Sequence, residues 1–383
     1  MPGVQFSTRA GVGVCLLPGV RMGRLRMTGL FPTLESASGT RPLAVLEERR
    51  RGTKFLELPV RSIVNAPEST GMSFWSINPY VGCEYGCTYC YARFAHRYVV
   101  QRARDDERLP DRGFDDHETV TPLEPFEHRI FVKTRHTVLA ALERDLRLVR
   151  RRAEQDGMQS LLIGTGTDPY QPAERQYQLT RAVLNRLLRE RDMRIGIITK
   201  SPLVTRDVEC LSRLTRRHEI SVYISLVSAD PHITERFEAR SPVPHARLRA
   251  LGRLRAAGIR AGLIVAPVLP GISDTNRQLH ALMQAAREAD AQFVFPSPLR
   301  LYAAVRRRTL AVLEHHYPHL VLRYQAAYRR GCDAPPGYRA ALVRRFERIA
   351  AAYGLPATDG SREQPRGRPA HADTQLSLFA RSA

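Results

Sequence analysis

The chain has 383 residues, 43% of them hydrophobic and 25% charged, a balance that excludes a chiefly disordered or low-complexity protein. No window offers 18 uninterrupted apolar residues and the amino terminus lacks a basic, apolar, small-residue signal pattern, so the expectation is a cytoplasmic protein with no membrane partner. The formal charge of +21, from 59 basic and 38 acidic residues, points to an acidic partner such as nucleic acid, although Lys54, Lys133 and Lys200 are the only lysines and codon composition also produces such an arginine bias.

Residues 1–54 mix Gly, Pro, Ser and Arg with little periodicity, the composition of a poorly ordered segment. From Phe55 to Asn78 short apolar groups suggest extended chain, with a first strand at Phe74–Ile77. Residues 92–128 are polar, acidic at Asp105-Asp106-Glu107 and Asp115-Asp116, and read as a loop-rich excursion. Ile130–Val132 is a short extended piece, and Val138, Leu142, Leu146 and Val149 recur at helical spacing across Thr137–Glu154. Apolar strand-type runs follow at Ser160–Gly164, Arg194–Thr199, Ile220–Leu226, Ala261–Val268 and Gln292–Phe295. Helical patterns alternate with them near Leu179–Arg189, Thr205–Arg216, Pro244–Ala257 and Asn276–Ala289. Strands without strict polar alternation, each followed by an amphipathic helix, imply a parallel sheet with covered faces. About six β/α units are expected in an α/β domain over residues 55–305, with ligands collected at the carboxyl ends of its strands. Thr309–Gln325 and Gly337–Tyr353 form a helical extension over residues 306–356, and residues 357–383 read as a flexible tail.

Cys83, Cys87 and Cys90 stand in a C-x3-C-x2-C spacing within a Gly- and aromatic-rich loop that follows the first strand. Thiolate-rich sites select zinc, copper(I) or iron–sulfur clusters, and structural zinc wants a fourth Cys or His close by. His96, six residues beyond Cys90, is outside the usual short ligand spacings. Cys15, Cys210 and Cys332 are scattered and read as buried or incidental thiols rather than a disulfide framework.

Two strand ends carry further polar groups. Gly164-Thr165-Gly166-Thr167-Asp168-Pro169 couples a buried strand to a turn with hydroxyls and a carboxylate, which reads either as a capping turn or as a set of ligands. Lys200 ends the next strand, where a compact ammonium suits a carboxylate and an ordinary surface lysine is the plainer reading. Ser225, one strand further, is a packed hydroxyl or a site group. The arginine runs 49–51, 150–152 and 306–308 are a phosphate-tracking face or solvated helix surface.

The three-cysteine loop, with Tyr89 just before the last cysteine, resembles the cluster loop of the radical S-adenosylmethionine (radical SAM) enzymes. Asn78-Pro79-Tyr80, Gly166-Thr167-Asp168-Pro169, Thr199-Lys200, Ser225, Phe237-Glu238-Ala239-Arg240-Ser241-Pro242 and Gly262–Gly271 extend the likeness to the spore photoproduct lyase-like group over about residues 75–300. That resemblance implies a partial, open (β/α)6 TIM-like barrel. It also implies a [4Fe-4S] cluster on Cys83, Cys87 and Cys90 whose open iron takes S-adenosylmethionine, a cofactor pocket lined by Tyr89, Thr167, Asp168, Lys200 and Ser225, and an external electron donor. DNA repair or modification is the expected activity, with radical modification of a protein or small molecule, or a clamp-associated DNA-binding protein with a structural or redox-sensing iron–sulfur cluster, as alternatives. The group's lyase places a hydrogen-donating cysteine where this chain has Thr165. The tail peptide Gln375-Leu376-Ser377-Leu378-Phe379 resembles the short peptides that bind the bacterial sliding clamp, with Leu376, Leu378 and Phe379 as apolar anchors and Gln375 as a polar contact.

Overall fold

The computed structural model of the chain describes residues 44–48, 53–93, 99 and 124–358. In chain order its strands are β1 (Val45–Glu48), β2 (Lys54–Leu58), β3 (Val64–Asn65), β4 (Trp75–Ile77), β5 (Tyr80–Val81), β6 (Arg129–Lys133), β7 (Ser160–Ile163), β8 (Arg194–Thr199), β9 (Glu219–Ser225), β10 (Ala261–Val268) and β11 (Val294–Pro298). They make two sheets: a seven-stranded one ordered β11-β10-β9-β8-β7-β4-β3 and a four-stranded one ordered β1-β2-β6-β5. From β4 to β11 the larger sheet is parallel throughout, with β3 added antiparallel beyond β4. Those six parallel strands are the expected β/α units, and the sheet is a partial barrel that does not close.

The strands are continuous apolar runs because both their faces are covered. Leu161, Ile163, Ile195, Ile197, Val222, Ile224, Leu263 and Val265 pack in the main core. Leu162, Tyr223, Ile264 and Phe293 form a separate cluster on the other face. Between strands, the helix Arg135–Asp156 buries Val138, Ala141, Leu142, Leu146 and Val149, and the helix Asn276–Glu288 buries Leu279, Leu282, Met283 and Ala286. Each such large side chain contributes roughly 2 kcal/mol of transfer free energy, and parallel connections of this kind bring successive carboxyl ends to one edge.

Several details differ from the sequence-based expectation. A strand, β1, falls inside the segment read as poorly ordered, held antiparallel on β2. The extended piece at residues 130–132 becomes β6, whose partners β2 and β5 lie far back in the chain. The strand read as Gln292–Phe295 runs instead to Pro298; its two prolines are tolerated because β11 is an edge strand. The helix expected over 205–216 opens as a 3-10 turn, Pro202–Asp207, before Val208–Leu214. The helix expected over 309–325 is two, Ala303–His316 and Val321–Ala327, interrupted at Tyr317-Pro318, where proline lacks the N–H that the ladder needs. The excursion at 94–123 lies outside the described residues, apart from Val99. Among the described residues no helix is long and apolar enough to cross a membrane.

Candidate functional site

The loop between β5 and Arg93 is held from four directions. The Cys83 amide donates to the Phe126 carbonyl (3.1 Å) and the Thr88 amide to the Phe237 carbonyl (3.0 Å). The Thr309 hydroxyl donates to the Thr88 carbonyl at 3.3 Å. From the turn after β7, the Thr167 hydroxyl and the Gln171 amide both donate to the Gly82 carbonyl (2.8 and 3.1 Å), and Gln171 Oε1 accepts from the Glu84 amide at 3.0 Å. Inside the loop Arg93 is fully buried: it donates to the Gly86 carbonyl at 3.0 Å and pairs with Glu127 at 2.6 Å, which Arg308 meets from the other side at 2.7 Å. Gly86 has φ of +58°, a conformation that favours glycine.

Cys83, Cys87 and Cys90 line one cavity together with Tyr89, Tyr91, Thr165, Thr167, Asp168, Lys200, Ser225 and Ser297. It opens on the carboxyl ends of β7, β8, β9 and β11, the edge the parallel topology predicts for ligands. Burial pushes all three thiols above their ordinary range, Cys87 to about 11. Buried thiols that resist ionising alone gain most from a cationic inorganic centre, which takes them as thiolates. Among the described residues no group of three His, Cys, Asp or Glu side chains is gathered closely enough for a single metal ion. Three thiols facing a shared cavity are a donor set that suits an iron–sulfur centre. His96 lies outside the described residues.

The predicted groups divide by what their polar atoms already hold. Asp168, at the mouth, is engaged by its own chain: Oδ1 accepts from the Tyr170 amide (2.9 Å) and the Thr199 hydroxyl (2.7 Å), and Oδ2 from the Lys200 amide (2.7 Å). It knots the β7 turn to the end of β8, and Thr167 holds the cysteine loop. The Lys200 ammonium, by contrast, lies 3.8 Å from the Glu238 carboxylate and 5.9 Å from the Tyr89 ring centre. Ser225 sits at the end of β9 with its hydroxyl 3.4 Å from the Ala266 carbonyl. Thr165 accepts from Asn78 Nδ2 at 3.2 Å, and its carbonyl accepts from the Tyr91 hydroxyl.

Sequence reasoning gave no role to the buried charges around the loop, namely Arg93, Glu127, Glu238 and Arg247. Glu238 and Arg240 belong to one short motif, yet only the fold shows that one is buried and the other exposed. Of the other cysteines, Cys210 and Cys332 are buried and free of disulfides, and Cys15 lies outside the described residues, as do Gln375, Leu376, Leu378 and Phe379 of the tail.

An uncharacterized protein of Mycobacterium tuberculosis is 32% identical over 330 residues, 86% of this chain and 89% of its own. Among solved structures, spore photoproduct lyase complexed with its dinucleoside photoproduct matches at 16% identity over 74% of each chain, with a TM-score of 0.51, which shows a common fold. A mutant of that lyase with bound AdoMet and photoproduct is matched at a TM-score of 0.43 and 17% identity, over 64% of this chain and 61% of its own, so the alignment spans less than two thirds of that molecule. The family model described as the radical SAM superfamily matches residues 77–283, more than half the chain, and that stretch begins just ahead of the cysteine loop and takes in the ends of β7, β8, β9 and β10. With three thiols turned into the mouth of an open parallel barrel and this match over the same residues, the chain belongs to the radical SAM superfamily, enzymes that use a [4Fe-4S] cluster and S-adenosylmethionine.

Proposed function

We propose that this radical SAM enzyme acts on nucleic acid, in repair or modification, with Cys83, Cys87 and Cys90 as the cluster ligands and Tyr89, Thr167, Asp168, Lys200 and Ser225 around the cofactor. The observation that carries the site assignment is the convergence on one cavity at the strand ends of Lys200 and three thiols, those of Cys83 and Cys87 buried and that of Cys90 half-buried. Held by Cys83, Cys87 and Cys90, the cluster with its cofactor would supply one-electron radical chemistry, with the electron coming from an external donor. This chain's residues do the placing. Lys200 offers an ammonium to the cofactor carboxylate, while Thr167 and Asp168 act through backbone they fix, at Gly82 and Lys200. Tyr85, Tyr91 and Phe126 add aromatic rings to the cavity wall, which limits water around a reactive species.

The +21 charge and the fold shared with an enzyme whose solved complex holds a dinucleoside support nucleic acid as the substrate class. Thr165 departs from the lyase's cysteine, and an alcohol O–H is too strong a bond to replace a thiol as hydrogen donor, so the lyase's own route of hydrogen return does not run through this position. The test is anaerobic reconstitution with iron and sulfide, then incubation with S-adenosylmethionine and deuterated DNA or RNA carrying defined lesions. Deuterium recovered in 5'-deoxyadenosine is the expected result. Label arriving only from deuterated peptides or metabolites would overturn the substrate class and leave the family intact.

A further inference from the structure

One buried carboxylate joins several parts of the site. Glu238 is 1% exposed and follows the helix Pro231–Phe237. One oxygen accepts from the Tyr89 hydroxyl, and Tyr89 stands between the second and third cysteines. The same oxygen is 3.8 Å from the Lys200 ammonium at the end of β8. The other accepts from Arg247 at 2.5 Å, and Arg247, itself fully buried, also donates to the Ser225 carbonyl (3.0 Å) and the Pro242 carbonyl (2.7 Å). Tyr89 and Lys200 line the cavity, whereas Glu238 and Arg247 stand behind it. A carboxylate buried this deeply is retained only when cations and donors replace its water. Here a guanidinium, a phenol and an ammonium do so, and the phenol and the ammonium belong to side chains that line the cavity.

We propose that Glu238 is the positioning residue of the cofactor site: it aims the Lys200 ammonium into the cavity and, through Tyr89, fixes that cation relative to the cysteine loop. Burial alone would raise the Glu238 carboxyl, but Arg247 and Lys200 outweigh it and hold it below the ordinary carboxylate range. Burial likewise works against the Lys200 ammonium, and the neighbouring Cys87 and Glu238 outweigh that and hold it above its ordinary value. Glu238 therefore makes no contact with the cofactor and acts by the direction and charge of a side chain that does. The inference rests on Lys200 meeting the cofactor carboxylate.

The test is a double-mutant cycle on the anaerobically reconstituted enzyme, read as the equilibrium dissociation constant of S-adenosylmethionine with iron content and cluster absorption measured alongside. Lys200→Met is expected to weaken binding by roughly tenfold, and Glu238→Gln to weaken it severalfold with the cluster still loaded. The double variant should be no weaker than Lys200→Met alone, because the second change has nothing left to act through. Glu238→Asp, which keeps the charge on a shorter arm, should recover part of the loss. If Lys200→Met binds normally, the reading of Lys200 fails. If Lys200→Met weakens binding but Glu238→Gln does not, or if the two losses add in full, the positioning role of Glu238 is overturned. Should Glu238→Gln fail to load iron, Glu238→Gln with Arg247→Met, which removes the stranded guanidinium, takes its place in the cycle and is judged by the same outcomes.

Discussion

Lys133 shows what it costs to anchor this site from beneath. Its side chain is 1% exposed, and its ammonium donates to the Asn78 carbonyl at 2.6 Å. Asn78 in turn reaches across to Thr165 and to the Gly166 amide, so the lysine supports the residue that ties the start of the cysteine loop to the β7 turn. Burial pushes Lys133 down to about 7, with Asp145 opposing, against an unfolded value of about 10.4. Between those values the unfolded chain carries a proton that the folded chain does not, so raising the pH favours folding, by at most about 1.4 kcal/mol per pH unit from this group. Below about 7 both states are protonated and the dependence ends. Urea midpoints at about pH 7 and about pH 9 should rise more for the wild type than for Lys133→Met; equal rises in the two proteins would contradict the assignment. Nothing in the sequence marks Lys133 as buried, since a lysine ending a strand is ordinarily solvated, and its value depends on β6 being covered by elements distant in the chain.

At the scale of elements, the loop's stability comes from how many separate pieces of chain close on it, and Gly86 is where that closure is tightest. A Cβ there would lie 3.1 Å from Glu127 Cβ, and Glu127 cannot swing aside because Arg93 and Arg308 hold its two oxygens. Gly86→Ala therefore combines left-handed backbone strain of about 1 kcal/mol with crowding against a fixed side chain. Gly71, with φ of +70° and nothing within 4 Å of where an added methyl would sit, isolates the first effect. Gly86→Ala should lower the melting temperature clearly more than Gly71→Ala and reduce iron per chain, while Gly71→Ala keeps its iron; similar behaviour of the two would argue against a tight loop. The strands β7, β8 and β10 could be read almost to the residue because continuous apolar runs need no long-range information. The three cysteines and Lys200 stood out in the sequence by identity and position, and the fold brings them to one cavity. What could not be read was pairing across distance: β6 beside β2, and the carboxylates Glu127 and Glu238 drawn inward by arginines from other elements. A charged residue looks the same in sequence whether it is solvated or sealed beneath a loop.

For the whole molecule the question is what the surplus of arginine does, because the structure uses some of it internally. Arg150 pairs with Glu190 at 3.4 Å, Arg152 with Glu68 at 2.6 Å and Asp156 at 3.6 Å, and Arg308 with Glu127 at 2.7 Å; Arg306 donates to the carbonyls of Tyr328 and Gly331. Two of the three arginine runs thus contain side chains already committed within the fold, and the run at 49–51 lies outside the described residues. The ion pairs offset acidic charge locally, and the net +21 belongs to the chain as a whole. A nucleic-acid substrate would meet that excess by releasing counterions, so affinity should fall steeply with salt, with log K against log salt sloping by about −0.9 per phosphate neutralised on duplex DNA. Fluorescence anisotropy with labelled DNA across roughly 50 to 200 mM salt measures that slope; six or more phosphate contacts predict a loss of about a thousandfold or greater. Because its guanidinium is spoken for by Glu68 and Asp156, Arg152→Ala should leave the slope unchanged. An affinity indifferent to salt would mean the arginines are not meeting phosphates, and the nucleic-acid reading would lose the support it draws from charge.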